Sequence, residues 1–94
     1  MTELKQWDMA DYINDEEDIV AHLNAALAEN DLELLFYTIG AIGRSSGMGK
    51  LAKRIGVSRE SLYRSFSAGG NPSFATVLKA LDALGYDFSI AKRA

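Results

Sequence analysis

Residues 50–66, KLAKRIGVSRESLYRSF, carry five of the ten Lys and Arg residues of a 94-residue chain. Leu51, Ala52 and Ile55 recur at helical spacing, Gly56 interrupts them, and Leu62 and Phe66 follow one turn apart. Two short helices joined by so tight a turn cross steeply. The crossing needs a small side chain where the helices meet and a residue tolerant of positive φ in the turn. Ala52 and Gly56 meet those needs, and Ser58 supplies the N-cap of the second helix. With Val57, Leu62 and Phe66 anchored in a core, Arg59, Glu60, Tyr63, Arg64 and Ser67 face outward. Such a face fits a major groove, where arginine pairs bidentately with guanine and the helix N-terminus at Ser58 meets a phosphate. Glu60 fits there by accepting from a cytosine amine or by orienting Arg59 or Arg64. Arg44, Lys50, Lys53 and Arg54 stand around the hairpin in positions suited to phosphates. The bland reading is a basic, solvated hairpin within a helical bundle. The coincidence of small residue, turn glycine, serine cap and outward arginines favours the DNA-facing one.

Outward from the hairpin, the apolar residues keep recurring at three and four, so the chain reads as consecutive short helices. The stretch 14–30, NDEEDIVAHLNAALAEN, starts with a cap at Asn14 or Asp15 and with acids where the helix dipole favours them; Ile19, Leu23 and Leu27 share one face. Asp31 caps a second helix with a stripe of Leu32, Leu35, Phe36, Ile39 and Ile42, which stops at Gly47. Met48, Leu51, Ala52 and Ile55 mark the third helix and Leu62 and Phe66 the fourth. The turn-forming SAGGNP of residues 67–72 then leads to Pro72 and Ser73, which open a fifth helix with Phe74, Val77, Leu78, Leu81 and Leu84 inward and Gly85 at its end. In YDFSIA, residues 86–91, Tyr86, Phe88 and Ile90 alternate with smaller or polar residues, the period of a half-buried strand. The expected fold is all-α: five helices with a short C-terminal β-strand. No repeat, low-complexity tract or linker divides the chain, so residues 1–94 read as one domain, with 48–67 as a helix-turn-helix and 1–33 as an acidic arm and helix.

Composition narrows the function classes. Without cysteine there is no disulfide or thiolate zinc site, and with His22 as the only histidine, metal binding would fall to carboxylates alone. The N-terminal MTELKQWDMADY lacks a basic start followed by an apolar stretch, and no apolar run approaches the roughly 20 residues that span a bilayer, so a soluble cytoplasmic protein is expected. The net charge of −3 hides an asymmetry: residues 1–33 hold ten acids against Lys5 alone, whereas residues 34–94 hold nine bases against Glu60, Asp82 and Asp87. Oppositely charged halves suggest two different partners; two solvated faces of one fold are the alternative.

Other motif matches fail on their context. GMGKLA, residues 47–52, fits a lone dinucleotide-binding pattern but follows no strand, and a P-loop would need glycine in place of Arg44 and Ser or Thr in place of Leu51. Asp15, Glu16, Glu17 and Asp18 are consecutive at a helix start, where capping explains them better than calcium binding or catalysis. His22 has no titratable partner at helical spacing and reads as a boundary or surface residue. Trp7 and Tyr12 either dock the acidic leader onto the core or anchor a partner. No constellation supports an enzyme, and no cofactor is expected.

Residues 51–66 resemble the helix-turn-helix of the lambda-repressor-like regulators. More narrowly, WDMADYINDEEDIVAHLNAAL (7–27) and GMGKLAKRIGVSRESLYRSFSAGGNPSFATVLKALDALGYDFSI (47–90) are similar to the addiction-module antidote proteins, HigA-like antitoxins often found in prophages. The most specific part is SRESLYRSFSAGGNPSF, which joins the recognition helix to a glycine-asparagine-proline turn and the next helix. The resemblance implies binding to double-stranded operator DNA of the protein's own operon and neutralisation of a small RelE-like ribonuclease toxin encoded alongside. Repressor-like domains often place a contacting glutamine where this chain has Met48. A toxin that cleaves RNA tends to be basic, so the acidic third, through Trp7, Tyr12, Asp15, Glu16 and Asp18, is expected to hold it. Because one hairpin reads only a few base pairs, a homodimer is expected, with Tyr86, Phe88 and Ile90 pairing as an open strand edge. A prophage-type repressor without a toxin and a purely protein-binding adaptor remain the alternatives; the latter predicts no salt-sensitive DNA binding.

Overall fold

The computed structural model describes residues 16–94, which form α1 (Glu16–Ala28), α2 (Leu32–Ser46), α3 (Met48–Ile55), α4 (Arg59–Ser65) and α5 (Phe74–Leu84). Local signals account for most of the boundaries. Helix α1 ends as Asn30 takes a positive φ of 55° and the Asp31 N–H returns to the Ala26 carbonyl at 2.9 Å, a Schellman closure built on asparagine instead of glycine. Asp31 then caps α2, its Oδ1 accepting from the Leu34 N–H at 3.1 Å. Ser73 caps α5 in the same way through the Thr76 N–H at 3.1 Å, so Pro72 stands just outside the helix, where it is buried.

Helix α2 is the centre of the molecule, packed against α1, α3 and α5. It is therefore buried over more than one stripe: Leu35, Thr38, Ile39, Gly40, Ala41, Ile42 and Gly43 are all inside. The single core joins them to Leu23 and Ala26 of α1, Met48, Leu51 and Ala52 of α3, Leu62 and Phe66 at α4, and Val77, Ala80 and Leu81 of α5. Thr38, the buried polar residue of this core, donates its hydroxyl to the Leu34 carbonyl at 2.8 Å, which removes the cost of burying it. Gly40 sets how closely α4 approaches. A Cβ there would lie 2.9 Å from the Phe66 carbonyl oxygen and 3.3 Å from the Phe66 Cβ, so the end of α4 seats directly on the α2 backbone. One turn earlier on α2, Phe36 also meets Phe66, edge to face with centroids 6.2 Å apart.

The structure corrects the sequence reading at several points. No strand occurs among the described residues, and the expected strand at Tyr86, Phe88 and Ile90 is absent. The Tyr86 N–H turns back to the Leu81 carbonyl at 2.8 Å to close α5, and among the described residues the tail meets no neighbouring strand to supply a ladder. Phe88 instead packs edge-on against Phe74, centroids 5.8 Å apart, and Ile90 is 90 % exposed. Phe74, expected inward, is 63 % exposed, and Leu32 at the start of α2 is likewise outside. Val57, expected to anchor α4, is exposed as well, because the turn lifts it off the core.

Candidate nucleic-acid interface

Helices α3 and α4 are joined by Gly56, Val57 and Ser58 alone. The turn is closed by backbone geometry that the sequence requires. Gly56 adopts the left-handed conformation at φ 91°, and the N–H groups of Gly56 and Val57 both bond to the Ala52 carbonyl, at 2.8 and 3.1 Å. A residue with a Cβ would carry roughly 1–2 kcal/mol of strain at this φ. Ser58 then starts α4, its Oγ accepting from the Ser61 N–H at 3.0 Å. The inner side of this hairpin is Leu51, Ala52, Leu62 and Phe66, each at most 4 % exposed.

Most of the expected contact residues are exposed on these two helices and the turn between them. Lys50, Lys53, Arg54, Ser58, Arg59, Glu60, Tyr63 and Arg64 are all exposed. Arg59 crosses the gap between the two helices: a Cβ at Gly49 would touch its Cδ at 3.9 Å, so its stem lies over the start of α3, beside Lys50 in sequence. Glu60 occupies the first turn of α4, where the helix dipole favours a carboxylate. Two hydroxyls are already engaged within the chain. Ser58 Oγ serves the cap, and the half-buried Ser67 donates to the Tyr63 carbonyl. Met48, at the position where glutamine is common in repressor-like domains, is buried at 5 % exposure, packed with Leu51 beneath Gly43.

Arg44 is set apart from the others. Its guanidinium folds back along α2, 5.7 Å from the centre of the Tyr37 ring, in a cation–π arrangement. It lines a groove of about 520 Å³ with Phe36, Tyr37, Ser67 and the backbone of Ala68–Gly70, on the flank where the chain leaves α4. Tyr37 escaped the sequence reading; its spacing of seven residues from Arg44 on one helix was the available signal. Lys79 escaped it too. Packing of α5 on α3 brings Lys79 beside Arg54 in a shallow depression shared with Asp82, a proximity with no local sequence signal.

Of the residues expected to hold a toxin, Trp7, Tyr12 and Asp15 lie outside the described residues. Glu16 opens α1, and Asp18 is exposed in its first turn, where its carbonyl accepts from His22 Nδ1 at 2.8 Å. His22 is thus a half-buried boundary residue. Among the described residues no cluster of His, Asp and Glu could hold a metal ion. No helix of the described residues is long and apolar enough to cross a membrane.

A family model described as probable addiction module antidote protein matches residues 3–92, nearly the whole chain. The chain belongs to that family. Membership implies a cognate toxin as the partner of this antidote protein. The antidote protein is also 43 % identical over 91 residues to an uncharacterised protein of Haemophilus influenzae, an alignment covering 96 % of this chain and 94 % of the relative. No solved structure matches it.

Proposed function

We propose that this antidote protein is the DNA-binding antitoxin of a type II toxin–antitoxin module, acting in the cytoplasm by binding and not by catalysis. In this reading the α3–α4 hairpin is a lambda-repressor-like helix-turn-helix that occupies the major groove of operator DNA, and the toxin is a small basic ribonuclease of the RelE/HigB kind. The carrying observation is the hairpin itself. Its apolar side is fully used in the core, and its solvent side gathers Lys50, Lys53, Arg54, Arg59 and Arg64 on two helices joined by a turn of three residues. A helix of this kind presents arginines to guanine edges while lysines neutralise phosphates. Arg44, turned back onto Tyr37, stands apart from these five. Glu60 is explained by the dipole of its own helix and acts on DNA through the neighbouring arginines.

A short recognition helix reads few base pairs, so operator binding uses a homodimer with half-sites about 34 Å apart or a multiple of it. Occupying its own operator, the protein represses the operon that encodes it and the toxin. The test is an anisotropy titration of the full chain against duplexes from the upstream region of its gene, over a range of salt. Arg59→Ala weakens operator binding by about 1–3 kcal/mol and relaxes discrimination against scrambled duplex. Salt-independent binding, or equal affinity of Arg59→Ala and wild type, refutes the DNA reading. Co-expression with the adjacent reading frame tests neutralisation: growth arrest by the neighbour alone, relieved by this chain, is the expected result.

A further inference from the structure

Helix α1 carries Val20, Leu23, Asn24 and Leu27 at the spacing i, i+3, i+4, i+7, so all four share one face. Leu23 is committed to the core at 7 % exposure, but Val20 is 41 % and Leu27 37 % exposed. Among the described residues, α2 is the helix that packs against α1. The C-terminal tail supplies the opposite wall. Tyr86, Asp87 and Phe88 close with the α1 face a groove of about 190 Å³, room for one large apolar side chain. The wall is held in place: the backbone N–H of Tyr86 is tied to Leu81, and Phe88 is braced edge-on by Phe74. Of the residues expected to serve a dimer, Tyr86 and Phe88 line this groove and Ile90 does not, while Glu16 and Asp18, expected to serve a toxin, lie on α1 outside its lining.

The charge around the groove selects its occupant. Asp87 is the one charged residue that lines the groove, and α1 beside it carries Glu16, Glu17 and Asp18 and no Lys or Arg, with Glu17 one turn before Val20 on the same stripe. Lys92 and Arg93 lie beyond Ile90 and do not line it. A second copy docking here about a two-fold axis would set the same acidic patch against itself, since an isologous interface pairs each surface with its own copy. A basic partner meets attraction instead. We propose that the α1–tail groove receives an apolar side chain of a basic partner protein, the toxin, with the acids of α1 engaging its positive surface. Apolar insertion beside Asp87 and the acids of α1 gives affinity from the buried side chain and orientation from the charges. The groove is nearly preformed, so little ordering cost opposes binding. The proposal rests on the antidote reading above and adds where on this chain the partner sits.

The test uses the full chain and, as probe, the purified product of the reading frame adjacent to its gene, titrated by calorimetry. Leu27→Lys and Phe88→Lys each weaken binding at least tenfold, while operator affinity and helical circular dichroism stay at wild-type levels. Both sites are partly exposed, so folding should survive; Val20→Lys, on the same stripe, serves if either variant loses its helical signal. Wild-type affinity for the probe also falls as salt rises. If wild type binds the probe and the variants bind equally well, the groove assignment is overturned and the antidote reading stands. If the variants leave probe affinity unchanged but convert a dimer to monomers in sedimentation, a second copy occupies the groove and the assignment is likewise overturned. If the wild-type chain does not bind the probe, the antidote reading falls and the groove assignment with it.

Discussion

Helix α1 and the α3–α4 hairpin both pack against α2 and are built by the same rules, yet they present opposite chemistry. Both put leucine and alanine inward, at Leu23 and Ala26 on one and Leu51, Ala52 and Leu62 on the other. The outward residues differ completely. Helix α1 shows acids and two unsatisfied apolar residues, while the hairpin shows five Lys and Arg side chains and one carboxylate. The apolar pattern therefore decides where each helix sits, and the surface pattern, free of packing, is left for partners. The difference also separates two kinds of recognition. Point charges on a rigid hairpin suit a polyanion with a regular geometry, whereas an apolar slot beside acidic side chains suits a folded basic protein.

The most damaging way to break this comparison is to remove the core that both regions share. Phe66 is 1 % exposed and sits where α4 meets Gly40 and Phe36, so Phe66→Ala should cost about 3–5 kcal/mol of stability. A domain of this size has only about 5–15 kcal/mol in total, so DNA and toxin binding should both suffer. Urea denaturation checks it, and a loss below 1 kcal/mol would mean the α2–α4 contact is not as tight as described. Arg64→Ala sharpens the comparison by touching one region alone. It should weaken operator binding by about 1–3 kcal/mol and leave toxin affinity unchanged, measured side by side by anisotropy and calorimetry. Ser58→Ala deletes the cap of α4 and should lower stability by about 1 kcal/mol, with a matching drop in operator affinity as the first turn frays. The smallest effect belongs to Lys53→Ala. Affinity for all duplexes should fall similarly, and the slope of log affinity against log salt should flatten by about 0.9. A change in discrimination between duplexes would instead move Lys53 from phosphate to base contact.

Much of this was legible in the chain because it is local. Asp31, Ser58 and Ser73 are caps that bond to N–H groups three residues on, and Gly56 is needed by a backbone angle within its own turn; such interactions are complete within a few residues, so the pattern alone exposes them. The five helices, the inner faces of the hairpin and the charge asymmetry belong to this class. The outward arginines were legible for the same reason, since Leu62 and Phe66 inward leave Arg59 and Arg64 outward on a helix of any protein.

What only the tertiary structure decided depends on which element arrives from a distance. Phe74 and Leu27 carry the same apolar signal as Val77 and Leu23, yet the first two remain partly exposed because no helix among the described residues covers them. The alternation of Tyr86, Phe88 and Ile90 is a strand pattern that finds no strand to pair with among the described residues, and the tail packs on Phe74 and borders α1 instead. Gly40 carries no signal of its own in the sequence and is the place where another backbone approaches. The grouping of α1 with a tail some sixty residues later has no sequence signature. Hydrogen-bonded caps and turns are settled between near neighbours, whereas burial is settled by whichever distant surface fills the space; the first was determined by the sequence alone and the second by the packing of α2 among its neighbours.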